Sequence, residues 1–271
     1  MNIDNIWVSY FSPTGTTKKI TGRISEQLAA RMEKPVSQLD FTLPKSRESA
    51  QKYQPADLVV FGVPVYAGRI PNVLLKYLDT LEGGGALAVP VVVFGNRNYD
   101  EALKELYRIL AAHNFRPVAA AAFVSAHSFS YVLGSGRPDD ADFKAADDFA
   151  NRLADKLISG DCTFDFDQED NEPLKGYYQP QDRNGNPIDI RKVRPKTNEW
   201  CTGCGICAKN CPMGAIDSKN HDNHLNICIK CGSCYKKCPA QARYFDDKNY
   251  LFHKTELEEV YTRRAEPSLF L

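Results

Sequence analysis

The sequence predicts an α/β protein: a doubly wound, five-stranded parallel sheet in the order 2-1-3-4-5, followed by a small α+β domain organised by cysteines. Three observations carry this expectation. Short apolar runs alternate with helical patterns through residues 1–158. Eight of the nine cysteines fall between Cys201 and Cys238, and none precedes Cys162. The 271 residues suffice for roughly two domains of about 100–200 residues each, one core being sizeable and one small.

The elements follow in order. Ile6 to Phe11, rich in β-branched and aromatic residues, reads as the first strand. Thr16 to Arg31 repeats Ile20, Ile24 and Leu28 every four positions and reads as a helix. Val36 to Phe41 reads as the second strand, and Asp57 to Val63 as a buried third. Val73, Leu74, Tyr77, Leu78 and Leu81 form a helical stripe after it. Ala88 to Gly95 is the fourth strand, and Leu103, Leu106, Tyr107 and Leu110 mark the next helix. Val118 to Val124 is the fifth strand. A last helix carries Phe143, Ala146, Phe149, Leu153 and Leu157, entered through Asp139, Asp140 and Asp142. Near-continuous apolar strands between helices imply a parallel sheet covered on both faces.

Residues 159–195 turn acidic (Asp161, Asp165, Asp167, Glu169, Asp170, Glu172) and then Pro- and Gly-rich, which reads as a linker. Phe164, Phe166, Tyr177 and Tyr178 argue that it wraps on the surface rather than being purely disordered. Residues 196–243 form the cysteine domain. The tail, 244–271, has a helical pattern at Leu257 to Tyr261 and ends in Leu269, Phe270 and Leu271, which suit docking back on the protein.

Hydrophobic residues at 43% and charged residues at 25% exclude collagen-like, disordered and membrane-spanning classes. Basic and acidic residues number 34 each, so nothing in the balance points to a nucleic-acid or membrane partner. The N-terminus has neither a basic n-region nor a long apolar h-region. The longest apolar run, Ala86 to Phe94, contains Pro90 and falls far below the roughly 18 residues of a spanning helix. A cytoplasmic protein is expected, and there clustered cysteines act as metal ligands or redox groups rather than disulfides.

The cysteines repeat with an offset of 27 positions. Cys201, Cys204, Cys207 and Cys211-Pro212 share the spacing C-x₂-C-x₂-C-x₃-C-P with Cys228, Cys231, Cys234 and Cys238-Pro239. Three thiolates on one tight loop hold three irons of a cubane, and the fourth points to the other cluster. The expected ligand sets are therefore crossed. Cys201, Cys204, Cys207 and Cys238 hold one 4Fe-4S cluster, and Cys211, Cys228, Cys231 and Cys234 the other. Gly205 and Gly232 stand where backbone passes close to inorganic sulfide. Zinc is the competing reading, but it takes four ligands in two well-separated pairs. Residues 196–243 carry seven basic against three acidic side chains, a surplus that offsets the anionic clusters rather than marking a nucleic-acid patch. His221 and His224 lie outside the ligand pattern and are expected at the surface, and Cys162 as an inert thiol.

The first strand runs into Ser12-Pro13-Thr14-Gly15-Thr16-Thr17 and a helix. Hydroxyls and amides at a helix N-terminus make an anion site, and Gly15 permits the turn. The loop has no Lys, and no G-x-x-x-x-G-K-[ST] or G-x-G-x-x-G occurs, so neither a nucleoside triphosphate nor direct nicotinamide use is supported. A hydroxyl-rich loop without Lys suits a monophosphate.

Over residues 1–158 the chain resembles the flavodoxin family. The matching pieces are Ser12 to Thr17, then Gly62 to Pro71 after the third strand, then Gly95 to Asp100 after the fourth. The resemblance implies FMN, its phosphate held by Ser12, Thr14, Gly15, Thr16 and Thr17. Pro64, Tyr66, Ala67 and Gly68 line one side of the isoalloxazine, and Asn96, Arg97, Asn98 and Tyr99 the other. Tyr66 and Tyr99 are the candidates to stack on the ring, or else loop anchors. Flavodoxins surround the ring with acidic groups. A cation there raises the flavin potential, so Arg97, with Arg69 second, is expected to tune it toward two-electron chemistry, the alternative being a solvated arginine on the loop rim. His127 follows the fifth strand on the ligand side, a candidate proton donor beside Arg97.

The whole resembles flavodoxin–ferredoxin fusion proteins of anaerobic microbes, with FMN and two 4Fe-4S clusters. Two functions follow. One is an oxidoreductase that reduces a small-molecule electron acceptor near Tyr66, Arg97 and His127. The other is a pure carrier between redox partner proteins. A homodimer is left open.

Overall fold

The computed structural model describes residues 2–164, 166 and 172–271, so Asp165, Asp167, Glu169 and Asp170 of the acidic stretch lie outside the described residues. The N-terminal sheet has the expected order. Strand β1 (Asn5–Tyr10) lies between β2 (Val36–Asp40) and β3 (Asp57–Pro64), followed by β4 (Leu87–Phe94), all parallel. The expected fifth strand arrives in two pieces, β5 (Arg116–Pro117) and β6 (Ala120–Val124), both parallel to β4.

Side-chain alternation divides the core. Leu58 and Val60 face helices α1 (Thr16–Met32) and α4 (Asp140–Ile158), meeting Ile20, Ile24, Leu28, Phe149 and Leu153. Val59, Phe61 and Val63 face the other side and meet Leu103 and Leu106 of α3 (Ala102–Ala112). Burial on both faces is why β3 and β4 read as unbroken apolar runs. The helix expected from Val73 to Leu81 shrinks to a 3-10 turn (Asn72–Leu74) and one turn of α2 (Leu75–Leu78). Leu74, Tyr77, Leu78 and Leu81 are still buried, so the stripe reported packing rather than helix length. Asp139 caps α4 reciprocally with Asp142.

The C-terminal module has little regular structure. Strand β7 (Lys196–Thr197) pairs antiparallel with β8 (Arg243–Tyr244), and the one-turn helices α5 (Ile206–Lys209) and α6 (Ser233–Lys236) begin after Gly205 and Gly232. Helix α7 (Lys248–Val260) starts nine residues before the pattern seen at Leu257. The chain then returns to the first domain, where β9 (Ser268–Phe270) pairs antiparallel with β6. Phe164 and Phe166 pack on Tyr107, and Phe166 meets Phe270 at 4.9 Å.

The two parts touch closely. A Cβ on Gly232 would stand 2.6 Å from the Ser128 carbonyl, so only glycine fits there. Arg47 donates to the Pro212 carbonyl at 2.6 Å, and Ile229 packs against the core of the sheet domain. Among the described residues no helix is long and apolar enough to cross a membrane.

Candidate functional site

The loop after β1 is a preformed anion cradle. Gly15 caps α1 with φ +92°, a conformation that disfavours side chains, and having no side chain of its own it leaves the Thr16 and Thr17 amides of the first turn open to a ligand. Thr14 and Thr16 bring their hydroxyls within 3.4 Å of each other. Ser12 is buried and braces the loop, its amide donating to Thr42 Oγ1 at 2.8 Å and its hydroxyl accepting from the Lys18 amide at 3.0 Å. Thr17 is buried under the loop. Hydroxyls plus uncapped amides, with no lysine in the loop, fit an FMN phosphate.

The next two loops interlock. Tyr66 and Arg69 exchange backbone hydrogen bonds at 2.8 and 3.1 Å around Ala67 and Gly68, a tight turn beyond Pro64. The Gly68 carbonyl accepts from the Glu101 amide at 3.0 Å, tying this turn to the loop after β4. In that loop Tyr99 packs on Phe94, and Asn98 is exposed, accepting the Asp100 amide at 3.1 Å.

The polar side chains expected at the flavin are engaged elsewhere. Asn96, at φ +64°, is buried and donates to the Tyr261 and Arg263 carbonyls at 2.9 and 2.8 Å. It accepts the Ala265 amide at 3.1 Å, so its amide anchors the C-terminal tail. Arg97 is ion-paired with Asp100 and lies over Tyr178, 4.5 Å from the ring. Arg69 forms a two-pronged pair with Glu105 at 2.6 and 2.8 Å and donates to the Lys175 carbonyl. The segment expected as linker thus covers both arginines, and Tyr178 donates its amide to Ala67.

His127 follows β6, packed against Gly95 and edge-on to Phe129. Burial, reinforced by His253, Lys236 and Arg97, lowers its pKa to about 3. The ring is therefore neutral, and because Nδ1 accepts the Phe129 amide at 3.1 Å, the proton sits on Nε2.

The eight cysteines separate into the two crossed sets. Cys201, Cys204, Cys207 and Cys238 line one cavity, and Cys211, Cys228, Cys231 and Cys234 line another. Among the described residues no three His, Cys, Asp or Glu side chains converge on a single-ion position. Four thiolates around one cavity are the donor set that a cubane takes. The internal repeat persists in the bonding: the Ala215 amide donates to Cys211 Sγ at 3.2 Å and the Ala242 amide to Cys238 Sγ at 3.3 Å. Burial raises the thiols of Cys207, Cys228 and Cys231, and pushes Cys234 up to about 12. The sets differ in exposure, since Cys204 is exposed while Cys231 and Cys234 are buried.

Two histidines expected at the surface are not there. His221 is buried with Nδ1 3.6 Å from Cys201 Sγ, and half-buried His224 lines the second cavity. Both lie between the cysteine copies, and the crossing of the ligand sets folds that segment over the cavities. Cys162 is half-buried against the sheet core.

Tyr66 joins the two sites. Its phenol is raised well above its ordinary value by burial and then by the neighbouring Cys231 and Cys228. The second thiolate set is seated on the sheet domain through Ile229 and through Gly232, which closes on the Ser128 carbonyl after β6.

A flavodoxin-domain family model matches residues 7–97, and a 4Fe-4S dicluster-domain model matches residues 200–243. No curated protein matches the sequence. Among solved structures the chain is similar to a flavodoxin from the domain Archaea, with 15% identity, 57% of this chain and 99% of that one covered, and TM-score 0.42. It is likewise similar to oxidised flavodoxin 2 from Bacillus cereus, with 16% identity, 56% and 99% coverage, and TM-score 0.42. A rubredoxin oxygen:oxidoreductase from the anaerobe Desulfovibrio gigas matches with 16% identity, 58% of this chain and 37% of that one covered, and TM-score 0.41.

Proposed function

The chain joins a flavodoxin domain to a 4Fe-4S dicluster domain in an electron-transfer flavin and iron–sulfur protein, and from this premise we propose that it relays electrons between two 4Fe-4S clusters and FMN to reduce a small organic acceptor at the flavin. The observation that carries the reading is the seating of the Cys228–Cys234 loop on the flavodoxin domain, where Ile229 packs on the sheet core and Gly232 closes against the Ser128 carbonyl. One chain thereby supplies both ends of a short path. FMN supplies the means to collect two electrons delivered singly. The thiolates of Cys211, Cys228, Cys231 and Cys234 hold the nearer cluster, and those of Cys201, Cys204, Cys207 and Cys238 the farther, more exposed one. A redox partner protein in the cytoplasm delivers electrons at the exposed end.

At the flavin end His127 offers a hydrogen bond rather than a transferable proton, because the ring is neutral. The neutral ring keeps Nε2–H as a donor while Nδ1 is tied to the Phe129 amide, which orients it. One observation favours the second reading, a carrier without a small substrate. Arg97 and Arg69 are each paired with a carboxylate, Asp100 and Glu105, which cancels much of the charge expected to raise the flavin potential.

The test begins with anaerobically purified holoprotein, which should contain about eight irons, about eight sulfides and one FMN. The flavin is then reduced through the clusters and challenged with a panel of small acceptors. Reoxidation faster than that of free FMN supports the oxidoreductase. Reoxidation by redox proteins alone makes it a carrier. Stoichiometric zinc in a colourless protein ends both.

A further inference from the structure

Arg243 occupies an unusual position for a cation. It is 2% exposed and lies in β8, opposite Thr197 of β7. Its guanidinium donates to the His221 carbonyl at 2.8 Å, to the Pro195 carbonyl at 3.1 Å and to the Thr197 hydroxyl. Its Nε–H is buried without a partner. Among the described residues the carboxylate within ion-pairing distance is that of Asp222, 3.7 Å away and itself half exposed. A buried charge held by neutral acceptors with one donor unused is costly unless an anion lies near.

The anions it faces are the cluster sites. Arg243 lines the cavity of Cys201, Cys204, Cys207 and Cys238. Cys207 of that set packs with Cys234 of the other in one buried group, so the guanidinium stands beside the seam between the two sets. The internal repeat supplies a control. With an offset of 27 positions, Ile216 is the residue matching Arg243, and it lines the second cavity. An apolar side chain meets the packing needs of that position, so the fold does not require a cation there.

We infer that Arg243 is the shared counter-cation of the two clusters, a positioning residue that stabilises the added electron on both and holds both reduction potentials up. This rests on the two-cluster reading above. A positive charge beside a cluster favours its reduced form, and low dielectric strengthens the effect.

The experiment is spectroelectrochemical titration, with EPR, of the full-length holoprotein against Arg243→Gln and Arg243→Lys. Arg243→Gln is expected to lower both cluster midpoints and leave the FMN midpoint unchanged. Arg243→Lys, which keeps the charge, is expected to return both midpoints toward the wild-type values. Two loaded clusters with unchanged midpoints in Arg243→Gln overturn the inference and leave the relay standing. If Arg243→Gln takes up no iron, Arg243→Lys decides. Full loading with midpoints near wild type supports the inference, and failure of the charge-keeping variant to load shows a packing role and overturns it. A wild-type protein without two clusters defeats the reading beneath it instead.

Discussion

The two halves of this chain are held together by different physics. The sheet domain buries two continuous apolar layers, one on each side of β3 and β4, and its loops are edges of an already finished core. The cysteine module buries far less. Its buried group is Cys207, Ile216 and Cys234, so ligand thiols are part of the core, and a second group, Val193, Phe245 and Tyr250, comes from the flanking segments. A module of this size cannot replace a missing cluster with hydrophobic burial. Cluster binding is therefore folding energy in one half and has no such role in the other.

The largest effect should come from breaking that dependence. Removing iron with a chelator, or replacing Cys234 by Ala, should unfold residues 196–243 while the sheet domain stays folded and retains FMN. Limited proteolysis and circular dichroism read both outcomes on one sample. Coordinated loss of both halves would show that the contacts at Gly232, Arg47 and Ile229 merge them into one cooperative unit.

Phe61→Ala tests the opposite half. This fully buried ring stacks on Phe41 at 5.2 Å between centroids, and its removal should cost about 3–5 kcal/mol in urea unfolding of the sheet domain. Iron and sulfide content should not change. A parallel loss of clusters would contradict the separation of the two stabilising mechanisms.

The same contrast explains what could be read from the sequence. Patterns local in the chain were legible. Apolar runs gave the strands, and the cysteine spacing anticipated sets that the structure separates into two cavities. Interactions distant in the chain were legible only in outline: the apolar end of the tail and the linker aromatics announced that they would pack on the protein, but not where. Nothing near Asn96 announces that its amide will hold residues 261–265, or that Ser268–Phe270 will extend the sheet beside β6. Linker aromatics over Arg69 and Arg97 are likewise tertiary events. One signal was local and overlooked: Asp100 lies three residues after Arg97, close enough to neutralise it. Arg243 sits just beyond the second cysteine copy, and only comparison with its repeat equivalent Ile216 marks it as exceptional.

A smaller, pH-dependent effect sharpens the junction. His127 has a folded-state pKa of about 3 against about 6.5 for an unfolded chain. Between those values the unfolded chain binds the extra proton, so stability falls as pH falls through this window and is fully present above it. His127→Gln should flatten the slope of stability of the cluster-loaded protein as pH falls below about 6.5 while the slope above is unchanged. A His127→Gln protein with the wild-type slope would mean that the ring is solvated and free to protonate.

The smallest effect lies where the tail returns to the sheet domain. Asp139 caps α4, accepting the Ala141 and Asp142 amides at 3.1 and 3.2 Å, and pairs with Arg264 of the tail at 2.7 Å. Arg264 and the cap hold its carboxyl well below the usual range. A depressed carboxylate contributes stability above the unfolded value of about 4, and the contribution disappears as pH falls through the folded one. Asp139→Ala should cost about 0.5–2 kcal/mol at neutral pH, toward the lower end at high salt because Arg264 is exposed, and progressively less in acid. Asp139→Asn separates the two roles, since it keeps a capping oxygen but removes the charge. If the Arg264 pair matters, the Asp139→Asn protein loses part of the stability, and its difference from the wild type shrinks at high salt. If the cap alone matters, the same variant matches the wild type at every ionic strength, and the tail is held by Asn96 and β9 without help from charge.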